Sequence, residues 1–432
     1  MAEPLRVAIA GLGTVGVGVI KNIQTHGEML EKRSGRKIEI VAIHAQNRDK
    51  KRDADISSYE WVDDITELAA RPDIDVIIEL IGGSDGVALA LARKALANKK
   101  HFITANKALI AHHGYELAVL AEENGVAMSF EAAVAGGIPA IKSLREGFAG
   151  NEIQAVYGIL NGTSNYILTE MRETGRDFES VLKDAQDKGY AEADPSFDID
   201  GVDAGHKLSI LTALAFGTKP DFKSLEMIGI RHINSTDIAF ASELGYRIKL
   251  LGIARRYEDG RIMQILEPCL VPKESTLGTV EGVYNAVHID GDFVQTGHLV
   301  GRGAGEKPTA SAVISDVIDI ARGFKVPVFG VPATKLKEAS WIDVGQTVNC
   351  YYVRMNVLDQ PGVLADVSAI LRDHNVSIEA FLQRGRDPGQ PVPMVMTTHE
   401  TRHADMTEAC ARIEKLQTVL EKPCLMPIEN IE

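Results

Sequence analysis

The sequence predicts an α/β protein in three parts, and three patterns along the chain support this prediction. Near the N-terminus, the strand-like run Leu5–Ala10 leads into the glycine motif GLGTVG and then into an apolar helix pattern. In the middle, two-residue periodicity at Arg247–Ala254 and Arg261–Leu266 predicts a β-hairpin. After Tyr351 the order strand, helix, strand, strand, helix is ferredoxin-like. We therefore expect an N-terminal Rossmann doubly wound parallel sheet, an α+β middle domain and a ferredoxin-like C-terminal domain.

Composition narrows the function to small-molecule chemistry. The 432 residues carry a net charge of −14, which argues against nucleic-acid binding through basic patches. The chain has neither an apolar run long enough for a membrane helix nor an N-terminal signal pattern. Its four cysteines are far apart and form no CxxC pair, so the sequence indicates neither zinc nor a disulfide framework. We expect a cytoplasmic protein.

The first glycine motif predicts a dinucleotide site, because it stands between a strand and a helix. Glycines there allow a tight turn and let a pyrophosphate reach the amides of the helix N-terminus. A purely structural glycine turn is the alternative. The motif residues predicted to contact the cofactor are Gly11, Leu12, Gly13, Thr14, Val15 and Gly16.

The segment after the second predicted strand, Ile38–Ile43, indicates the type of cofactor. NAD-binding proteins usually have an Asp or Glu there, which binds the ribose. This chain instead has a basic segment that includes Arg48 and Lys50, and a guanidinium suits a 2′-phosphate. Asp49 also lies in this segment, and an acid there makes the distinction between NAD and NADP less clear. The sequence favours NADP, with NAD possible.

Two further strand ends lie at the predicted carboxyl edge of the parallel sheet. The apolar run Asp75–Ile81 is followed by Gly82, and the strand His101–Thr104 is followed by Lys107. Ligands of such sheets bind at this edge, so we expect both segments beside the cofactor. A lysine facing solvent is the alternative for Lys107.

A small-residue loop follows the predicted strand Val126–Glu131 and runs from Ala132 to Pro139. Its free carbonyls, together with the Glu131 carboxylate, could hold a hard monovalent cation. A plain crossing between domains explains the same residues, and the residues alone favour the crossing.

An acidic stretch at Gly189–Lys207 precedes a predicted helix, which we expect Asp200 to cap. Asp203 and Lys207 are four residues apart and therefore share one helix face. A solvated acidic loop with an ordinary surface ion pair is the alternative reading. The cofactor site predicted elsewhere in the chain favours a functional role for the carboxylates and the lysine of this stretch.

A second glycine loop at Leu299–Lys307 is expected to lead into a helix, Ala310–Arg322, that returns to the first domain. The C-terminal elements are predicted as the strands Tyr351–Leu358, Ser377–Gln383, Val392–Thr398 and Cys424–Pro427 and the helices Val363–Asp373 and Met406–Leu420. We expect domain limits at 1–135, 136–322 and 349–432, with 323–348 as a return segment and linker.

Together these motifs resemble homoserine dehydrogenase of the bacterial type with a C-terminal ACT domain. The similar segments are Gly11–Gly16, Glu79–Gly83, Thr104–Lys107, Glu131–Pro139, Asn161–Tyr166, Gly189–Lys207, Gly303–Ala310 and the turn Asp359–Leu364. The resemblance implies NAD(P)H-dependent interconversion of L-aspartate 4-semialdehyde and L-homoserine, in threonine, methionine and isoleucine biosynthesis. It makes the middle domain a catalytic and dimerisation domain.

The resemblance also assigns roles to individual residues. Lys207 matches the proton donor and Lys107 the second lysine of the catalytic site. Glu192 and Asp203 match carboxylates that hold the substrate ammonium, supported by Asp198. A sodium ion is implied at Glu131 and the carbonyls of Val134, Gly136 and Ile138. Thr104, Lys107 and Gly305 join the cofactor contacts.

The resemblance further implies control through the ACT domain. Such domains pair with a second copy and bind an amino acid at the shared edge, here near Asp359–Leu364, and L-threonine is the expected effector. A homodimer or homotetramer is expected. A chain ending near Val348 should stay active without responding to threonine.

Two rival functions were weighed against this interpretation. An aspartate-semialdehyde dehydrogenase would need a nucleophilic cysteine, but no cysteine precedes Cys269. A non-catalytic amino-acid sensor would not need Lys107, Glu192 and Lys207 together.

Overall fold

A computed structural model describes residues 2–384 and 389–431. Its first domain is a parallel six-stranded sheet in the order β3-β2-β1-β4-β5-β6, which confirms the Rossmann prediction. The order reverses between β1 and β4, and ligands bind at such switch points. The elements are β1 (Leu5–Ala10), α1 (Thr14–Ser34), β2 (Ile38–His44), β3 (Glu60–Trp61), α2 (Ile65–Leu68), β4 (Val76–Glu79), α3 (Val87–Ala97), β5 (His101–Thr104), α4 (Lys107–Glu123) and β6 (Met128–Ser129).

The middle domain places helices against a mixed sheet. The predicted hairpin forms, with β9 and β10 antiparallel from Tyr246↔Pro272 to Arg256↔Ile262. The elements are α5 (Ala140–Lys142), β7 (Ile153–Ile159), α6 (Gly162–Thr174), α7 (Phe178–Asp187), α8 (Ser196–Ile199), α9 (Val202–Phe216), β8 (Glu226–Met227), α10 (Ser235–Glu243), β9 (Tyr246–Arg256), β10 (Ile262–Pro272), β11 (Tyr284–Gly291), β12 (Gln295–Arg302) and α11 (Glu306–Ala321).

Helix α11 packs against α1 of the first domain, as the sequence predicts. The helices approach closely at Gly18, where an added Cβ would lie 2.7 Å from Cγ of Glu306. Helix α11 begins four residues earlier than expected, at Glu306. Pro308 is tolerated in its first turn because an amide there has no intrahelical partner to lose.

The C-terminal domain has the strand order β17-β13-β15-β14, which is the ferredoxin-like arrangement. Strand β17 also pairs with β10 of the middle domain at Leu270↔Ile428. The two domains therefore share one eleven-stranded sheet, a junction that the sequence did not predict. The elements are β13 (Val348–Leu358), α12 (Val363–Asp373), β14 (Ile378–Gln383), β15 (Pro391–Thr398), β16 (Thr401–Arg402), α13 (His403–Ile413) and β17 (Cys424–Ile428).

Several predicted element bounds differ from the structure. The strand expected at Val126–Glu131 shortens to β6, because the Glu131 amide donates to Asp316 Oδ2 and Glu131 begins a 3₁₀ turn. The last helix ends at Ile413 rather than Leu420. Asp200 does not cap α9, because Gly201 with φ 90° precedes that helix and the Asp200 carboxylate pairs with Arg231.

Within the described ranges, no helix is both long and apolar enough to cross a membrane.

Candidate active site

The first glycine loop leaves room for a ligand at the N-terminus of α1. Gly11 has φ 107°, and a Cβ there would lie 2.5 Å from the Leu80 carbonyl oxygen. A Cβ at Gly16 would lie 2.0 Å from the Gly11 oxygen. Gly13, which precedes α1, has open space instead. The first-turn amides lack intrahelical acceptors, so the loop can take an anionic pyrophosphate.

The ends of β4 and β5 are tied together by a buried hydrogen-bond chain. The Glu79 carboxylate, which is fully buried, accepts from the Thr104 hydroxyl at 2.6 Å and from the Ile81 amide at 2.6 Å. Asn106 caps α4 through Leu109 and donates to the Gly83 carbonyl at 2.7 Å. These hydrogen bonds hold the Gly82–Gly83 turn in position beside Lys107.

Glu79 and Asn106 are positioning residues that sequence reasoning did not assign to the site. The signal for Glu79 was present, since it is the one charged residue between Val76 and Ile81. Thr104, predicted to contact the cofactor, is buried, and its hydroxyl donates to the Glu79 carboxylate.

Asp203 lies between the two predicted catalytic lysines. Its Oδ2 is 2.6 Å from Lys207 Nζ, one turn along α9, and its Oδ1 is 3.0 Å from Lys107 Nζ at the start of α4. Lys207 also donates to the Leu160 carbonyl at 2.7 Å. The structure therefore joins residues that are 100 positions apart in sequence into one ion cluster, in which Asp203 and Lys207 are buried and Lys107 is half-buried.

The two lysines oppose the effect of burial on the pKa of Asp203, whereas on the pKa of Lys207 Asp203 opposes burial and Lys107 reinforces it. Burial alone would raise the pKa of Asp203, but Lys207 and Lys107 hold that pKa well below its usual range. Burial lowers the pKa of Lys207, and the Lys107 charge lowers it further against the pull of Asp203. A lysine with a lowered pKa is suited to give up a proton near neutral pH.

Asn161 links the second predicted acid to the cluster. Its amide nitrogen donates to Asp198 Oδ1 and to Asp203 Oδ2, both at 2.8 Å. Its side-chain oxygen caps α6 by accepting from Ser164 at 2.8 Å. Burial raises the pKa of Asp198. The sequence did not predict this second use of Asn161.

Glu192 is not part of the cluster in this structure. Its side chain is exposed and forms no contact within the described part of the chain, while its main-chain carbonyl accepts from Gln186 at 3.0 Å. Its predicted contact with substrate remains a prediction.

A cavity of about 580 Å³ extends from the first glycine loop and the Gly82–Gly83 turn to Lys107. Val15, Gly82, Phe197 and His206 also line it. Burial lowers the pKa of His206 to about 4, and its Nε2 lies 3.3 Å from Nε2 of His112. Its Nδ1 is buried without a hydrogen-bond partner among the described residues. Neither histidine was singled out from the sequence.

The basic segment after β2 contains two arginines with different surroundings. Arg52 donates to the carbonyls of Leu12 at 3.2 Å and Lys50 at 2.7 Å, so it braces the glycine loop. Arg48 is exposed, with its guanidinium carbon 5.5 Å from the centre of the Trp61 ring. Its donors form no side-chain hydrogen bond within the described ranges, so they can reach a ligand phosphate.

Gly305, predicted to lie near the nicotinamide, has φ 121° and directly precedes α11. The next residue, Glu306, pairs with Lys21 of α1 at 3.0 Å. The second glycine loop is thereby held beside the helix that follows the first one.

The predicted sodium loop has a turn with free carbonyls. Ala135 and Gly136 have φ 55° and 51°, and in the described structure no hydrogen bond reaches the carbonyls of Val134 or Gly136. The Ile138 carbonyl accepts from Ala140 at 2.8 Å. Both Glu131 carboxylate oxygens accept amide hydrogens from α5, each at 2.9 Å. Burial raises the pKa of Glu131 to about 7. The carbonyls fit a monovalent cation better than the carboxylate does.

No cluster of three or more His, Cys, Asp or Glu side chains suited to a metal occurs in the residues that the structure describes.

Comparison with known proteins places all three domains in known families. Residues 139–318 match the model for "Homoserine dehydrogenase", residues 11–131 that for "Homoserine dehydrogenase, NAD binding domain" and residues 351–417 that for "ACT domain".

Similar proteins cover nearly the whole chain. A homoserine dehydrogenase of Neisseria gonorrhoeae is 45% identical over 430 residues, 98% of each chain. One from Pseudomonas aeruginosa is 43% identical over 96% of this chain and 97% of that protein. The crystal structure of a homoserine dehydrogenase from Thiobacillus denitrificans matches with a TM-score of 0.93 and 41% identity, covering 99% of this chain and 98% of the other.

Proposed function

The chain belongs to the homoserine dehydrogenase family, and we propose that it interconverts L-aspartate 4-semialdehyde and L-homoserine using NADP(H). The observation that carries the proposal is the contact of Asp203 with both Lys107 and Lys207 beside the Rossmann crevice. Reduction of an aldehyde requires a proton donor at the developing alkoxide, and the cluster supplies one.

Each residue of the cluster has a step to perform. Bound NADPH would supply the hydride. Lys207 donates its proton to the substrate oxygen, and Lys107 stabilises the negative charge that develops there. Asp203 holds both ammonium groups in place before substrate arrives. Because both Asp203 oxygens are already paired with lysines, we assign the substrate ammonium first to Asp198 and Glu192.

Cofactor preference follows from the segment after β2. Arg48 presents unpaired donors where a 2′-phosphate is expected, so NADP is the proposed cofactor and NAD the weaker alternative. Sodium at the carbonyls of Val134, Gly136 and Ile138 is proposed as a structural ion that steadies the crossing between domains.

The C-terminal domain is proposed to regulate the enzyme. Helix α12 follows Gly362 and, among the described residues, has no side-chain cap, so its first amides are available to a carboxylate near the Asp359–Leu364 turn. By pathway logic L-threonine is the proposed effector, since homoserine lies on the route to threonine, methionine and isoleucine.

A homodimer or homotetramer is proposed from the free edge of the sheet. Among the described residues nothing pairs with the outer edge of strand β12, and Val300, Tyr284 and Phe293 nearby are 51%, 43% and 85% exposed. The four free cysteines fit a reducing compartment such as the cytoplasm.

An assay of NADPH oxidation with L-aspartate 4-semialdehyde tests the proposed reaction. Product analysis should find homoserine, whereas an aspartate-semialdehyde dehydrogenase would oxidise this aldehyde with NADP+ and phosphate and would not consume NADPH. The rival aspartate-semialdehyde dehydrogenase would need a cysteine at the site, but Cys269, Cys350, Cys410 and Cys424 lie on β10, β13, α13 and β17, away from the lysine cluster. Absence of any turnover would favour the sensor function instead.

A further inference from the structure

A second cavity lies where the C-terminal domain meets the middle domain. Its volume is about 720 Å³, and none of the residues of the proposed reaction line it. The middle domain contributes Ile228 and Glu267, and the C-terminal domain contributes residues of β13, α13 and β17, among them Tyr351, Thr407, Cys410 and Leu425. The cavity therefore exists only when the two domains are joined.

Glu267, on β10, is the unusual feature of this cavity. Its side chain is nearly buried, with 8% of the residue exposed, yet its carboxylate accepts no hydrogen bond and forms no ion pair among the described residues. The neighbouring charges that act on it, Glu429 and Glu226, are also negative, and burial together with these charges raises its pKa to about 8. A carboxyl group buried without a partner is costly to ionise, so the site favours a ligand that brings a cation and lets Glu267 ionise.

The rest of the lining suits a molecule with an apolar body and a second charge. Ile228, Leu425 and Pro427 provide apolar surface, and Lys422 is an exposed cation on the same lining. The other lining cation, Arg354, is already paired with Asp237 and Glu421. An apolar cavity with a few placed charged groups is typical of small-molecule sites.

We propose that this junction cavity binds a free α-amino acid, whose ammonium donates to the Glu267 carboxylate. The site is separate from the turn at Asp359–Leu364, where we propose the effector of the ACT domain. It does not depend on the reaction proposed above, because its residues take no part in that chemistry.

Ile228 forms part of the cavity wall, and the backbone from Ile228 to Ile230 is hydrogen-bonded to the segment that carries the active-site acids. The Ile228 amide donates to the Leu266 carbonyl at 2.7 Å, one residue before Glu267. Two residues later, the Ile230 amide donates to the Ile199 carbonyl at 2.9 Å. Between them, Gly229 packs so closely that a Cβ would lie 2.3 Å from the same Ile199 oxygen. The wall and the Asp198–Asp203 segment therefore form one hydrogen-bonded unit.

Thermal unfolding of the full chain with each standard L-amino acid at millimolar concentration tests the site. Four proteins are compared: wild type, Glu267→Gln, Ala411→Trp and Glu226→Gln. Glu267→Gln removes the ionisable carboxyl group without changing the shape, and Ala411→Trp keeps that group but fills the cavity from the exposed face of α13. Glu226→Gln is the matched control, since Glu226 is an exposed acid near Glu267 that does not line the cavity.

At least one amino acid at about ten times its dissociation constant should raise the wild-type melting temperature by about 1–2 °C. Glu226→Gln should keep that shift, and both Glu267→Gln and Ala411→Trp should lose it. The proposal is wrong if no amino acid shifts the wild type, or if the shift survives in full in Glu267→Gln and Ala411→Trp. NADPH oxidation by the same wild-type preparation tests the proposed reaction separately.

Discussion

Asp203 and Lys207 face each other across one turn of α9, with 2.6 Å between Oδ2 and Nζ. An exposed pair at this spacing would contribute little, but both side chains are buried here, where an uncompensated charge is expensive. Asp203 therefore compensates the charge of the buried Lys207 ammonium, while burial lowers the pKa of Lys207.

Replacing Lys207 by alanine should remove the proton donor. We expect kcat to fall by about 10²–10⁴-fold, as is usual for loss of a general acid, with NADPH affinity retained. Steady-state kinetics and a fluorescence titration with NADPH measure the two quantities. Lys188→Ala is the control, because Lys188 is a half-exposed lysine bonded to Tyr166 that should be dispensable. Near-normal turnover in Lys207→Ala would remove Lys207 from the mechanism.

Replacing Lys107 by alanine should alter the pH dependence as well as the rate. The Lys107 charge lowers the pKa of Lys207, so its removal should raise that pKa. Aldehyde reduction needs protonated Lys207, and activity should then persist to higher pH than in wild type, at a lower maximum. The alkaline limb of the kcat profile measures the change. A limb that stays in place or moves to lower pH would contradict the proposed coupling.

The substitution Arg48→Ala tests whether Arg48 binds the 2′-phosphate of the cofactor. Loss of a charge-assisted bond to the 2′-phosphate should raise the KM for NADPH about 10- to 100-fold, with little change for NADH. Arg52→Ala is the contrast, because Arg52 braces the Leu12 carbonyl and its loss should weaken both cofactors. Equal losses for both cofactors in Arg48→Ala would show that Arg48 does not read the phosphate, and Lys50 would be tested next.

The sequence predicted the fold well where local patterns decide structure. The strand–glycine–helix unit at Leu5–Gly16, the hairpin around Gly260 and helix α12 at Val363–Asp373 all depend on neighbours in sequence, and all were confirmed. Predictions failed where distant partners decide. Asp200 is a plausible cap by its sequence position, but Arg231 takes its carboxylate.

The site was likewise predictable only in part. Lys107, Asp203 and Lys207 could be named from motifs, but their shared contact depends on the packing of α4 against α9. His206 and His112 gave no usable signal, because polar residues inside helices are common, and the contacts of Asn161 with Asp198 and Asp203 depend on packing. The joining of β17 to β10 brings strands together through a single paired position, which no local pattern reports.

His206 should make stability depend on pH in the acid range. Its pKa is lowered to about 4 by burial, by the neighbouring His112 and by the positive charges of Lys107 and Lys207, against the attraction of Asp203. In the unfolded chain this histidine has the ordinary pKa of 6.5, so the stabilisation is present above that pH and is lost as pH falls towards 4.

His206→Gln should remove that dependence. Between the two pKa values, the unfolding free energy of wild type should fall by up to about 1.4 kcal/mol per pH unit more steeply than that of the variant. Urea unfolding at several pH values measures both slopes. Glu131 acts in the opposite direction, because its raised pKa stabilises the protein at lower pH. The test therefore compares the slope of unfolding free energy against pH between wild type and His206→Gln. Equal slopes in the two proteins would mean that His206 is not held neutral.

The last prediction concerns the junction between the middle and C-terminal domains. Asp237 on α10 is fully buried, and its Oδ1 accepts from Arg354 Nε of β13 at 2.7 Å and from the Tyr352 hydroxyl at 3.1 Å. Arg354→Met fills the same space but leaves Asp237 without its cation. Breaking a buried pair in this way typically costs about 3–5 kcal/mol of unfolding free energy, measurable by urea denaturation of the full chain.

Glu421→Gln is the control, since Glu421 is the half-exposed second partner of Arg354 and its loss should cost at most about 1 kcal/mol. A chain ending near Val348 lacks Arg354 and also exposes the β10 edge that β17 covers. We therefore expect that shortened chain to be unstable rather than simply insensitive to threonine, so the full chain is the proper material for testing effector control. If Arg354→Met and the shortened chain both unfolded like wild type, the two domains would be thermodynamically independent despite their common sheet.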